Sequence, residues 1–158
     1  MTDEQIKEYT LRITGANASG LTVIIYELLE DCFAQADKAY QEGQMETFAH
    51  TVKKAERYIG ELLHGLNYED IMAKEIAVRY VRAQRTLIAA RVEGKQGGLA
   101  IARGILEELK PLFERLASAD KSAPIISNTQ KVYAGLTYGK ASLNEMAIDP
   151  VSNRGYSV

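Results

Sequence analysis

A chain of 158 residues that is 46% hydrophobic can fill one core and is short for two. Its 19 basic and 21 acidic residues leave a formal net charge of −2, with no clustered basic excess to displace phosphate counterions, so no nucleic-acid partner is expected. The single Cys32 cannot form an internal disulfide, the polar start Met1–Glu8 does not read as a signal peptide, and no apolar run approaches the ~20 residues of a membrane span, which together lead us to expect a cytoplasmic protein with no membrane insertion.

Residues 3 to 13 can form a short helix that stops near Gly15. Asn17 and Ser19 then offer side-chain oxygens to cap a long helix from Ala18 to Gln41. Its seam is read as Leu21, Ile25, Leu28, Cys32 and Ala39, with Leu29 and Ala36 beside it. Gly43 breaks the chain, and a second long helix follows from Gln44 to His64 with the clearest 3,4 rhythm: Met45, Phe48, Val52, Ala55, Ile59, Leu62, Leu66. Gly65 and Asn67 are suited to a left-handed cap at its end. A third helix, Glu69 to Glu93, carries the seam Ala73, Ile76, Tyr80, Ala83, Leu87, Ala90, and Gly94 with the pair Gly97-Gly98 closes it. The fourth runs to Ser118 on Leu99, Ala102, Leu106, Leu109, Phe113 and Leu116, and Pro111 inside it removes one backbone hydrogen bond, which predicts a bend. Short connections force sequential neighbours to pack antiparallel, so the expected fold is all-α: an up-down-up-down four-helix bundle with a short N-terminal helix.

Composition changes after Ser118. Residues 119–158 are rich in Ser, Asn and Gly, hold two of the three prolines, and carry too few apolar groups to build a core. The expected organisation is a bundle domain over 1–118 and a tail over 119–158. Tyr133 and Tyr138, with Val132, Leu136, Leu143 and Met146, suit a segment that docks on the bundle.

No catalytic set is evident, so no enzyme and no cofactor are expected. Glu61 and His64 match the Glu-x-x-His spacing of di-iron bundles, but the heptad places Glu61 at c and both His50 and His64 at f, facing away from the seam, so no metal site is expected. Cys32 lies on an apolar seam with no histidine to activate it and reads as packing. Arg79, Arg82, Arg85 and Arg91 lie along the third helix, with Glu75 one turn before Arg79 and able to pair with it. They form either a docking patch for an acidic partner or a solvated face. Tyr26, Phe33 and Tyr40 recur at b on the first long helix, and Val81 and Ile88 hold the b edge of the third. Large apolar groups at a rim either form a groove for an amphipathic helix or shield the core and lie beneath the tail.

The order of these features resembles the flagellin-specific export chaperones, the FliS family. Family members carry a segment like A-S-P-x-x-L-I-x-M-L-Y-D-G, and the stretch Ala16 to Leu28 is similar: Leu21, Ile24, Ile25 and Tyr26 fit its apolar and aromatic positions, with Glu27 in place of Asp. Ala18 stands where the family has Pro, and Leu28 where it has Gly. The break Gln41 to Gln44 looks like the family's first helix connection. The later family pattern L-Y-x-Y-M-x-R-R-L-x-x-A-N resembles Arg79-Tyr80 followed by Arg85 to Ala90, with Arg82 and Arg91 replacing its second Tyr and its Asn. The resemblance spans residues 10 to 118.

It implies a chaperone that holds the disordered C-terminal segment of flagellin, prevents premature polymerisation and presents the subunit to the export gate. Together with the rim positions, it places partner binding at Leu21, Ile24, Tyr26, Phe33, Tyr40, Tyr80, Val81, Leu87 and Ile88. The departures leave an alternative: a divergent paralogue or co-chaperone, acting as a regulatory or structural bundle whose groove is occupied by its own tail.

Overall fold

The computed structural model describes residues 1–126, and the expectations for Val132 to Met146 lie outside them. Among the described residues all regular structure is helical: α1 (Asp3–Gly15), α2 (Ala18–Gln41), α3 (Met45–His64), α4 (Ile71–Glu93) and α5 (Gly97–Ala119). The chain divides into two compact units, one of residues 17–122 and one of residues 1–16 with 123–158. No helix of the described residues is long and apolar enough to cross a membrane.

In the unit of residues 17–122, local groups set several helix ends, while α3 and α5 start without a side-chain cap. The Asn17 side chain accepts a hydrogen bond from the Gly20 N–H and caps α2, and Asp70 does the same for the Met72 N–H at the start of α4. Ser19, the other expected cap, instead donates its hydroxyl to Asp120 at 2.7 Å. Gly43 (φ 70°) and Gly94 (φ 64°) turn the chain in the left-handed region, where other residues are strained. The left-handed cap expected at Gly65 and Asn67 is not formed: Gly65 is right-handed at φ −77°, and Asn67 is not among the positive-φ residues. There the Gly65 N–H simply continues the helical pattern to the Glu61 carbonyl, and Tyr68 donates its hydroxyl to the Leu63 carbonyl at 2.8 Å, so the last turn is satisfied without a left-handed residue. Gly97 and Gly98 do not close α4 but form the first turn of α5. The helix α5 continues through Pro111 to Ala119.

Packing runs α2 on α3, α3 on α4, α4 on α5, and α5 back on α2. The core between them is aliphatic and aromatic: Tyr26, Leu29, Phe33, Phe48, Val52, Ile59, Tyr80, Leu87 and Leu99 are its largest fully buried side chains. Each such side chain contributes ~1.5–3 kcal/mol by leaving water, which carries the stability of the unit. The seams expected on α3 and α5 are this core, except that Met45 and Leu116 are exposed and Leu66 is half-buried. Ion pairs fasten the helices at their flanks: Arg103 to Asp37 joins α5 to α2, and Lys110 to Glu30 joins the same helices at 2.7 Å.

The other unit is described over residues 1–16 and 123–126. Helix α1 opens with a capping box, in which Thr2 accepts from the Gln5 N–H while the Gln5 side chain accepts from the Thr2 N–H. It has no buried residue, Arg12 lies over the Tyr9 ring, and the Ile125 N–H bonds the Ala16 carbonyl at 3.1 Å.

Candidate partner-binding surface

Helix α4 is apolar on two faces. Its inward seam, Ala73, Ile76, Tyr80, Ala83, Leu87 and Ala90, is buried throughout. A second 3,4 series runs along the other side: Ile71, Val78, Val81, Arg85, Ile88, Val92. Ile71, Val78 and Val92 are each 70% or more exposed, Ile88 is 40% exposed and Val81 is half-buried. An outer helical surface ordinarily carries polar side chains, so an aliphatic stripe in water, interrupted here only by Lys74 and Arg85, is a candidate interaction surface. Val78, Val81 and Ala89, with Ala77, Arg82, Arg85 and Thr86, line a shallow groove of about 500 Å³ on this face.

The four arginines of α4 have different fates. Arg91 grips Glu56 of α3 with two bonds, Nε to Oε1 at 2.7 Å and Nη2 to Oε2 at 3.2 Å, and this pairing holds its own ionisation upward. Arg79 pairs with Glu108 of α5 at 3.6 Å rather than with the expected Glu75, because α5 brings a carboxylate alongside it. Among the described residues Arg82 and Arg85 have no acidic partner, and both border the groove.

The nine residues expected to bind a partner are not on one surface. Ile24, Tyr26, Phe33, Tyr80 and Leu87 are buried, Leu21, Tyr40 and Val81 are half-buried, and Ile88 is exposed. Tyr26 and Phe33, read as rim residues, are 2% and 1% exposed. Helix α2 is therefore rotated from the expected setting, with Tyr26, Leu29, Phe33 and Ala36 at its buried centre. The physical reason is width: α2 packs on both α3 and α5, so more than half its circumference is apolar, and the bulkiest groups take the deepest positions.

The structure does bring Tyr26 and Tyr80 together, inside the core. Their hydroxyls share a hydrogen bond of 2.8 Å, and the Phe113 ring packs against both, at 5.6 and 6.4 Å between centroids. Burial pushes the Tyr80 hydroxyl up to about 12, with the bond from Tyr26 acting against it, and pushes Tyr26 higher still. This pair organises packing beneath α4 and offers nothing to solvent.

Cys32 is buried and its thiol is pushed up by desolvation, the state of an unreactive packing residue. His50, Glu61 and His64 are exposed, and His64 Nδ1 lies 2.7 Å from the Gly60 carbonyl. Among the described residues no group of three or more His, Cys, Asp or Glu could hold a metal ion. Three residues of the stripe, Ile71, Val78 and Val92, escaped the reading of the sequence. Their signal was present as a second 3,4 series starting seven residues apart at Ile71 and Val78.

The family model described as flagellar protein FliS matches residues 3–120. No individually curated protein matches the sequence. The match covers α1 through the end of α5, including both apolar faces of α4 and the Asn17 cap. The chain belongs to the flagellar protein FliS family, a family of chaperones and not of enzymes.

Proposed function

We propose that this protein is a cytoplasmic flagellar export chaperone that holds the C-terminal segment of flagellin, prevents its premature polymerisation and delivers it to the export gate. In this reading α2 to α5 form an antiparallel up-down-up-down bundle, a rigid platform against which a disordered chain orders as helix. Such a partner buries much apolar surface, while the cost of ordering it keeps the complex releasable. The carrying observation is the aliphatic stripe Ile71, Val78, Val81, Ile88, Val92, which no helix of residues 17–122 covers, in a chain of the FliS family.

Calorimetry with a flagellin C-terminal peptide tests this. Val78→Ser and Ile88→Ser should leave the circular dichroism unchanged, since both side chains are exposed, and weaken binding. Phe33→Ser is unsuitable for that comparison, because Phe33 is core. Unchanged affinity in both surface variants would remove the stripe from the binding site.

A further inference from the structure

We propose that the outward face of α4 selects its occupant by charge: it receives an amphipathic helix of a partner protein whose apolar stripe is flanked by acidic side chains, with Arg82 and Arg85 as the discriminating groups. This rests on the reading that the bundle holds helical segments of a partner.

Length, shape and charge all bear on the occupant. From Ile71 to Val92 the stripe extends ~30 Å at 1.5 Å per residue, the span of a partner helix of about 20 residues. Its 3,4 spacing fits a helix laid along it better than an extended strand, whose side chains repeat every second residue. The groove itself is lined by charges of one sign, Arg82 and Arg85, with no carboxylate among its lining residues. Lys74 lies on the stripe by helical position, and Glu75 and Glu93 lie beside Arg82 along its α5 edge, where Glu93 pairs with Lys95 at 3.2 Å. Arg82 and Arg85 lack acidic partners among the described residues, unlike Arg79 and Arg91. A second copy of this chain is a poor occupant. A two-fold pairing of α4 centred on the stripe would set Arg82 of one copy beside Arg82 of the other, like charge against like. An acidic amphipathic helix meets both needs, since it covers the aliphatic groups and neutralises the two arginines.

Two designed peptides of about 20 residues test this, with identical leucines at 3,4 spacing and either glutamates or lysines on the flanks. Binding to the full chain is followed by fluorescence anisotropy at low salt. The acidic peptide should bind about five- to twentyfold more tightly than the basic one, and added salt should narrow the gap. Arg82→Glu/Arg85→Glu should reverse the preference, and Val78→Asp should weaken both peptides. Equal affinities, or a preference that survives the charge reversal, would overturn the proposal. So would self-association in sedimentation that Val78→Asp abolishes, because a second copy would then be the occupant. The flagellin peptide run in parallel separates the two readings. Discrimination between designed peptides without flagellin binding retires flagellin and keeps the charge rule. Flagellin binding without discrimination does the opposite.

Discussion

At the scale of single residues, two buried contacts carry opposite lessons. Tyr26 and Tyr80 satisfy each other, so removing one hydroxyl strands the other in an apolar core. Tyr26→Phe should cost ~1–3 kcal/mol in urea unfolding, and adding Tyr80→Phe should restore part of that loss, because no orphan hydroxyl remains. Both phenols have folded values above the ordinary 10, so their contribution is complete below pH 10 and is lost as pH rises, through about 12 for Tyr80 and beyond that for Tyr26. Melting temperature should therefore fall steeply above pH 10, and less steeply in the double phenylalanine variant. Glycines give a second pair. A Cβ at Gly98 would lie 2.2 Å from the Thr86 carbonyl oxygen of α4, backbone that cannot step aside, whereas a Cβ at Gly104 meets nothing within 4 Å. Gly98→Ala should destabilise by ~1–3 kcal/mol, and Gly104→Ala should stabilise by ~0.5–1 kcal/mol. Equal effects of the two in denaturant titration would contradict this account of how α5 meets α4.

Between elements, the start of α2 is clasped to the end of α5. Asn17 caps Gly20 with its oxygen and donates its amide to the Asp120 carbonyl at 3.1 Å, while Asp120 accepts from Ser19 and from the Ser122 N–H. Asn17→Ala should cost ~1 kcal/mol or somewhat more, since a cap and a link between helices are both lost. Hydrogen bonds from Ser122 and Ser19 hold the Asp120 carboxyl down at about 2. A depressed carboxylate supports the fold above its ordinary range and ceases to do so as pH falls toward about 2. Carboxyl carbon NMR should place the Asp120 midpoint near that value, and Ser19→Ala should raise it. A midpoint in the ordinary carboxylate range in the unaltered protein would mean that the clasp is not formed in solution.

At the scale of the molecule, the buried core of the described residues lies within Ile24 to Phe113, inside the unit of residues 17–122. Every described member of the core lies in that unit, so a chain ending at Ser122 should keep its helical circular dichroism and unfold in one cooperative step. Ending it at Ser118 would also remove Asp120 and its clasp, so the 1–118 boundary expected from composition should prove the less stable of the two. Loss of most helix in the chain ending at Ser122 would show that the remaining residues are required for folding.

How much was legible in the sequence follows from how many stripes each helix carries. Helices α3 and α5 bury one dominant stripe, and there periodicity identified the core; α2 runs from Ala18 to Gln41 as its cap and glycine break required. Periodicity failed where a helix is apolar around most of its circumference. On α2 several seams were equally good, and only the volume left between α3 and α5 decided that Tyr26 and Phe33 go in. On α4 the inward seam was clear, while the outward stripe surfaced only as Val81 and Ile88, because a one-stripe template has no place for Ile71, Val78 and Val92. By itself the sequence determined helix number, breaks and family resemblance, all of which depend on local spacing and capping. Tertiary structure alone decided which apolar face meets water and which arginines lack a partner, because both depend on what the neighbouring helices bring alongside.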